Sequence, residues 1–314
     1  MDEVVRLGKI VSMVRSSESD QGIREALAKA LTLTDFRPEA KVRSVVIKPN
    51  LCYYWNSSTG YTTDPRVVEG IIDWVREEFG PEVDIKIAEA DATAMRTKYV
   101  FRMLGFEELA EKKKVSLFNL SEDKLIERKV NVGRREITYS VPSLLLNSDL
   151  FINVPKLKIM RRVKITCAMK NIFGCIAAPR KFAYHPYLEE AIVGINKILH
   201  PNLTIVDGIV ALGKHPAKLN LIMASTDVFS IDWVASQTMG YRPSQIKFLK
   251  IARKEGVGNS AGILVHGDKM SDFARIFPKE PMLSVNRFWN VLLRVFKLYT
   301  KLAKDVIHPS LEGI

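Results

Sequence analysis

The residues between Leu150 and Glu189 form a basic segment with the chemistry of an anion site. They include eight lysines or arginines and no aspartate or glutamate: Lys156, Lys158, Arg161, Arg162, Lys164, Lys170, Arg180 and Lys181. Apolar residues such as Leu157, Ile165 and Ile172 are interspersed with these cations, so the segment should pack and hold its charges in fixed positions. Fixed cations without local counterions are typical of a site for an anion.

Further polar residues follow predicted strands at their carboxyl ends, where open α/β sheets place their ligand crevice. Lysines are predicted to clamp an anion there, and asparagines are predicted to orient it. The predicted ligand-binding residues are Lys48, Asn50, Asn153, Lys156, Lys158, Asn171, Lys181 and Asp207. In the alternative interpretation, Asn50 only shapes a turn.

Three residues are predicted to take part in catalysis. His185 follows Lys181 by one helical turn, and the nearby positive charge should keep its imidazole neutral, as a proton acceptor requires. Asp232 lies in an apolar stretch, where a carboxylate needs a partner and could be a general base, a metal ligand or the partner of a buried lysine.

The third is Lys170, which lies between apolar neighbours and should face either a ligand or a carboxylate. The carboxylates considered are Asp207, Asp227 and Asp232, of which Asp227 is also predicted to cap the helix after it. His185 could equally be structural, as a single histidine often is.

In order and spacing, these motifs resemble the domain-of-unknown-function 362 family over about residues 43–260. The matching segments are Lys48-Pro49-Asn50, Thr62-Thr63-Asp64-Pro65, Asn153-Val154-Pro155-Lys156-Leu157-Lys158, residues 166–174, His185, Asp207-Gly208, Asp227 and Asp232. Members of this family occur alone or fused to ferredoxin-like iron–sulfur modules, and their biochemical role is largely undefined. The resemblance therefore implies a family but no specific reaction.

This chain departs from the family pattern at Met160, where the pattern usually has a histidine after Lys-x-Lys-x. A histidine-dependent step known from a relative would be missing here unless His185 or His215 substitutes. Lys181 and His185 are also similar to the Lys-x-x-x-His segment of the nickel-pincer lactate racemases.

Composition limits the classes of protein that fit. A chain of 314 residues with 47% hydrophobic content can bury a full core, and a net charge of +12 favours anionic partners. Its three cysteines form no Cys-x-x-Cys pair, which argues against an iron–sulfur cluster or structural zinc, and no metal site is predicted. No signal peptide or membrane span is visible, so we expect a cytoplasmic protein. The sequence does not identify a cofactor.

Short β-branched runs alternate with helical patterns, which predicts an α/β fold with a largely parallel sheet or sheets flanked by helices. We expect two lobes, at 1–145 and 146–280, because the charge changes near residue 145. The predicted strands are Val42–Ile47, Val83–Ala88, Val115–Asn119, Ile137–Ser140, Leu150–Val154, Leu203–Val206 and Leu219–Ala224. The predicted helices are Gln21–Leu33, Pro65–Phe79, Tyr99–Lys112, Thr166–Cys175, Tyr187–Leu199, Val228–Met239 and Pro243–Glu255.

The tail, residues 281–314, is predicted to contain one amphipathic helix. Apolar residues recur there at three- and four-residue intervals, and basic residues fall on another side. Such a helix could lie on an anionic membrane through residues 284–307, but docking on the protein's own body or on the second subunit of a homodimer is the preferred interpretation.

The preferred function is that of an enzyme acting on a small carboxylate or phosphate metabolite. One alternative is a nucleic-acid-binding protein that uses the basic segment from 156 to 187. Its stacking groups would be Phe173, Phe182, Tyr184 and Tyr187. Another is a redox accessory protein without its own cluster, since relatives carry iron–sulfur modules.

Overall fold

The computed structural model describes residues 9–34, 36–38, 41–93, 95–178 and 180–279. Its strands are β1 (Lys9–Arg15), β2 (Ser44–Pro49), β3 (Asp84–Glu89), β4 (Ser116–Asn119), β5 (Leu125–Val132), β6 (Arg135–Pro142), β7 (Leu150–Val154), β8 (Lys156–Met160), β9 (Lys164–Thr166), β10 (Leu203–Leu212), β11 (Pro216–Ser225) and β12 (Ile263–Gly267). Its helices are α1 (Asp20–Thr32), α2 (Pro65–Phe79), α3 (Thr97–Met103), α4 (Phe106–Lys113), α5 (Ser143–Asn147), α6 (Ala168–Phe173), α7 (Leu188–Asn196), α8 (Val228–Thr238), α9 (Lys247–Lys254) and α10 (Met270–Ile276).

One ten-stranded sheet organises the described chain, in the order β12-β1-β11-β10-β7-β2-β3-β4, with β8 beside β10 and β9 beside β8. The pairs from β10 through β7, β2 and β3 to β4 are parallel. Strand β11 runs antiparallel to both of its neighbours, and β5 and β6 form a separate hairpin. The prediction of an α/β protein with a largely parallel sheet flanked by helices is confirmed.

Apolar residues cover both faces of the sheet. Along β2, Val45 and Ile47 belong to one buried cluster, whereas Val46 belongs to the other, because successive side chains of a strand point to opposite faces. Helices α1 and α2 contribute Leu27 and Ile71 to the first cluster, and α6, α7 and α8 pack in the second.

Helix α2 begins where its sequence signals predicted. The Asp64 side chain accepts a hydrogen bond from the Arg66 amide at 3.0 Å, and Pro65 occupies the first turn. Asp227 likewise caps α8, because its carboxylate accepts from the Ser230 amide at 2.6 Å. The capping role predicted for Asp227 is confirmed.

Two predicted helices are wrong in extent. The helix predicted over Tyr99–Lys112 is two helices, α3 and α4, separated at Gly105, which has a left-handed backbone with φ of +77°. The helix predicted over Pro243–Glu255 begins later, at Lys247, after a short 3-10 turn at Pro243–Gln245.

Strands from both sides of residue 145 hydrogen-bond in the same sheet, since β2 and β7 are neighbours. The division into lobes at that residue stays a prediction. The predicted amphipathic tail, residues 281–314, lies outside the described residues.

Candidate functional site

The sheet reverses its direction of growth between β2 and β7. From β2 the chain continues outward to β3 and β4, and it then returns to place β7 and β10 on the opposite side of β2. At such a switch point the connections after two neighbouring parallel strands diverge and leave a crevice at their carboxyl ends. Lys48 and Asn153 stand opposite each other at this end, and Pro49 pairs with Val154.

A cavity of about 250 Å3 lies beside this switch point. Eight of the predicted site residues line it: Lys48, Asn50, Lys156, Lys158, Lys170, Asn171, Lys181 and His185. Asn153, Asp207 and Asp232 are not among its lining residues. The structure therefore brings most of the predicted residues together and places three of them behind the cavity.

Two of the cavity lysines have their charges matched by buried carboxylates. Lys48 donates to Glu89 at 2.8 Å, and their side chains are 1% and 6% exposed. Lys156 donates to Asp207 at 2.8 Å, and neither side chain is exposed at all. Because a buried charge needs a partner, these pairs explain how the lysines can exist there, and they leave little free charge for a ligand.

Asp207 is fixed by backbone donors as well as by Lys156. It accepts from the amides of Asp64 at 2.7 Å and Ile209 at 3.0 Å. Burial raises the pKa of Asp207, and Lys156 opposes that rise. Gly208 is required next to it, because a side chain would come within 2.8 Å of the Leu221 carbonyl on β11, as expected for a close backbone approach.

Three asparagines form a chain of hydrogen bonds that ends on Lys158. Asn171 donates to Asn153 at 2.8 Å and accepts from Asn50 at 2.9 Å, and the Asn50 oxygen accepts from the Lys158 ammonium at 2.6 Å. Asn153 donates in turn to the Ala168 carbonyl at 3.3 Å. These amide groups hold one another and position Lys158 in one place.

Lys158 meets only neutral or sulfur acceptors. Its ammonium also donates to the Tyr61 carbonyl at 2.6 Å and lies 2.8 Å from the Cys52 sulfur. Among the described residues, no carboxylate forms an ion pair with it. Lys158 is 4% exposed, so its positive charge is held at the cavity wall without a compensating carboxylate.

Lys170, on α6, also has no carboxylate partner within the described ranges. Asp207 pairs with Lys156 and Asp227 with Lys9, so the ion pairs considered from the sequence do not form. The Lys170 ammonium lies 4.4 Å from the centroid of the Phe173 ring. Removal from water, together with the positive charges of Lys158, Lys181 and Lys48, lowers the pKa of Lys170 to about 8.

Lys181 and Arg162 complete the cationic lining. Lys181 is 8% exposed and donates to the Asp91 carbonyl at 2.7 Å, and burial lowers its pKa to about 8. Arg162 donates to Glu189 at 2.7 Å, so its charge is matched. The cavity cations without an ion pair to a described carboxylate are therefore Lys158, Lys170 and Lys181.

His185 lies in the 3-10 turn Lys181–Tyr187 and lines the same cavity. Its Nδ1 atom is buried and has no hydrogen-bond partner in the described part of the chain. Burial, together with the charges of Lys170 and Arg162, lowers the pKa of His185 to about 4. This lowered pKa agrees with the expected neutral imidazole, but its main cause is burial, and the lysine that contributes is Lys170 rather than Lys181.

Asp232 is directed at backbone amides instead of the cavity. Its carboxylate accepts from the amides of Ala168 at 2.7 Å and Met169 at 3.0 Å, at the start of α6. Burial raises the pKa of Asp232 to about 7, and these hydrogen bonds oppose that rise. Asp232 thus anchors the helix that carries Lys170 and Asn171.

The aromatic residues considered for base stacking pack mainly on one another. Tyr184 stacks on Tyr139 with ring centroids 5.5 Å apart, and Phe173 meets Tyr184 edge to face at 5.9 Å. Phe173 is buried, and Tyr187 lies under the Arg135 guanidinium. These contacts do not leave a row of open ring faces for a nucleic acid.

Sequence reasoning missed Glu89, Cys52 and Tyr61. Glu89 ends β3, the neighbour of β2, so its position at a strand end could have identified it as a site residue. Cys52 follows Asn50 by two residues and lines the cavity. No pattern in the sequence indicated that the Tyr61 carbonyl would reach Lys158, 97 positions away.

Similarity to known proteins agrees with the motif pattern. The model of the family described as Domain of unknown function (DUF362) matches residues 45–237. A thylakoid-associated protein of Synechocystis sp. (strain ATCC 27184 / PCC 6803 / Kazusa) is 30% identical over 132 residues, which are 38% of this chain and 41% of that protein. The lactate racemase apoprotein from Thermoanaerobacterium thermosaccharolyticum superposes with a TM-score of 0.46 and 13% identity, over 76% of this chain and 59% of that one.

Within the described ranges, no helix has the length and apolarity that a membrane crossing requires.

Proposed function

The chain belongs to the Domain of unknown function (DUF362) family, and we propose that it is an enzyme that binds a small anionic metabolite, a carboxylate or a phosphate, in the cavity at the sheet switch point. The observation that carries this proposal is the pair Lys158 and Lys170, which present positive charge to the cavity without a carboxylate partner among the described residues. An anionic group between them would supply the missing counterion.

In this proposal His185 is the residue that accepts a proton from the bound metabolite or from a water beside it. Its imidazole is neutral at pH 7, since burial lowers its pKa to about 4, and its Nδ1 atom is without a partner in the described chain. A neutral imidazole beside a bound anion can accept a proton from the substrate or hold a water that does so. The carboxylates of Asp207 and Asp232 serve as structural groups that fix Lys156 and α6.

Calorimetric titration with methyl phosphate and with malonate tests the proposal. Replacing Lys158 or Lys170 by Met keeps the side-chain stem and removes the charge, so the affinity for at least one probe should fall more than about tenfold. Lys129→Met is the matched control, because Lys129 is exposed on β5 and the change in net charge is the same.

Two results would contradict the proposal. One is that neither probe binds, or that both cavity variants bind as the wild type does. The other is tight binding of random DNA or RNA with a log–log salt slope near −6 or steeper, which requires about six or more phosphate contacts and would favour the nucleic-acid alternative.

The proposed location is the cytoplasm, supported by three free cysteines in a chain with no described disulfide. Contact with a membrane through residues 284–307, and a homodimer formed through the same tail, stay predictions on residues outside the described ranges.

A further inference from the structure

Three aromatic side chains are unusually exposed in the connection between β2 and α2. Tyr53, Trp55 and Tyr61 are 47%, 53% and 38% exposed, and Tyr53 lines the cavity. Single exposed apolar residues are ordinary, but here three exposed aromatic side chains lie within nine positions, one of them lining the cavity and the other two stacked on each other. We call Tyr53, Trp55 and Tyr61 the aromatic rim.

The rim is ordered by its own contacts. The rings of Trp55 and Tyr61 stack with centroids 5.4 Å apart and planes 28° from parallel. The Thr62 hydroxyl donates to the Trp55 carbonyl at 2.6 Å. Tyr53 has a left-handed backbone with φ of +66°, a conformation that costs free energy in a residue other than glycine.

The aromatic rim also contacts the proposed anion site through Tyr61. The Lys158 ammonium donates to the Tyr61 carbonyl at 2.6 Å and lies 5.8 Å from the centroid of the Tyr61 ring. A group bound at Lys158 is therefore within reach of the rim. The Tyr53 amide donates to the Met95 sulfur at 3.3 Å, and Met95 and Met160 both add apolar surface to the cavity lining.

We propose that the aromatic rim is a subsite for a planar aromatic ring, so that the ligand is an aromatic phosphate or carboxylate. This inference rests on the proposed function, because the anionic group of the same ligand would lie at Lys158 and Lys170. Flat rings stack on exposed aromatic faces in offset or edge-on geometry, and such pairs add to the free energy of burial. A small inorganic anion would leave the rim uncovered.

Paired probes that differ by one ring test the inference. Methyl phosphate offers only the anion, whereas phenyl phosphate offers the same anion and a ring. The wild type should bind phenyl phosphate at least about fivefold more tightly, as expected for one stacked aromatic pair. Trp55→Ala should abolish most of this preference and leave the affinity for methyl phosphate unchanged, and its melting temperature would verify folding.

Leu125→Ala is the control, because Leu125 is 44% exposed on the hairpin strand β5 and should leave both affinities unchanged. Lys158→Met should weaken both probes alike. If neither probe binds the wild type, the proposed function fails together with the inference. If both bind equally and Trp55→Ala changes nothing, the anion site stands and the ring subsite is refuted.

Two other outcomes would also overturn the ring subsite. If Trp55→Ala releases the full chain from vesicles of phosphatidylcholine and phosphatidylglycerol without changing the ratio of the two affinities, the rim is a membrane contact. If the same variant instead converts a dimer into a monomer on a sizing column, the rim is an interface between two copies of the chain.

Discussion

Lys156 and Lys170 both line the cavity, yet only the removal of Lys156 should lower the stability of the protein. Lys156→Met leaves the Asp207 carboxylate fully buried with two backbone donors but no cation. Removing one partner of a buried ion pair typically costs about 3–5 kcal/mol. At roughly 2 °C per kcal/mol for a chain of this size, the melting temperature should fall by roughly 6–10 °C.

Lys170→Met, by contrast, removes a charge that no described carboxylate compensates. The pKa of Lys170 is lowered to about 8 because burial penalises its charged form, so the folded state gains when the charge is removed. We expect the melting temperature of this variant to be unchanged or higher. The affinity for an anionic probe should nevertheless fall, which separates the ligand-facing lysine from the structural one.

The difference in stability between the two variants can be measured by thermal and urea unfolding. The double variant Lys156→Met/Asp207→Asn is measured in the same way. The double variant should recover most of the lost stability, because it removes the uncompensated charge. Lowering the pH should also reduce the loss of stability that Lys156→Met causes. The folded pKa of Asp207 is raised above its unfolded value, so the folded state takes up the proton first and gains stability as the pH falls. Equal melting temperatures for Lys156→Met and the wild type would refute this reasoning, as would a large loss in Lys170→Met.

The cavity makes three further measurable predictions. Cys52 is the one cysteine that is not buried, and it should react faster with anionic iodoacetate than with neutral iodoacetamide. Lys158→Met should remove this preference, because the Lys158 ammonium lies beside the Cys52 sulfur. Equal rates in the wild type would argue against a cationic cavity. The affinity for malonate, which is a dianion throughout, should fall as the pH rises through about 8, because Lys170 loses its proton there, and Lys170→Met should weaken this dependence. A bound anion should raise the pKa of His185 above about 4 in an NMR titration, since it stabilises the imidazolium; an unchanged value would place the anion away from His185.

The parts of the fold that could be predicted from the sequence carry local signals. Strand β7 and helix α2 have the predicted bounds, because a run of buried apolar residues marks the first and Asp64-Pro65 with Gly80 marks the second. Strand β8 was not predicted, although its lysines alternate with apolar residues as they do in a strand; the burial of the lysine face could not be read from that pattern. Only the carboxylate and amide partners of Lys156 and Lys158 allow that burial.

The composition of the site could be predicted, but its pairing could not. All the cavity lysines were identified from strand ends and the basic segment, because their positions are a local property. Which of them are neutralised depends on residues far away in the chain, such as Glu89, 41 positions from Lys48. The distinction between a structural and a ligand-facing lysine is therefore a tertiary property.

The family pattern has a histidine where this chain has Met160, but an imidazole from another part of the fold lies in the same cavity. Met160, at the end of β8, and His185, in the 3-10 turn Lys181–Tyr187, line the same cavity. His215, the other candidate, is exposed between β10 and β11, and its Nδ1 atom lies 3.0 Å from the neighbouring Pro216 carbonyl oxygen. An imidazole is thus still available in the cavity, where burial and the charges of Lys170 and Arg162 lower its pKa, and Met160 adds apolar surface to the lining. The methionine in place of the histidine of the family pattern agrees with the proposed ligand, which has an apolar body beside its anionic group.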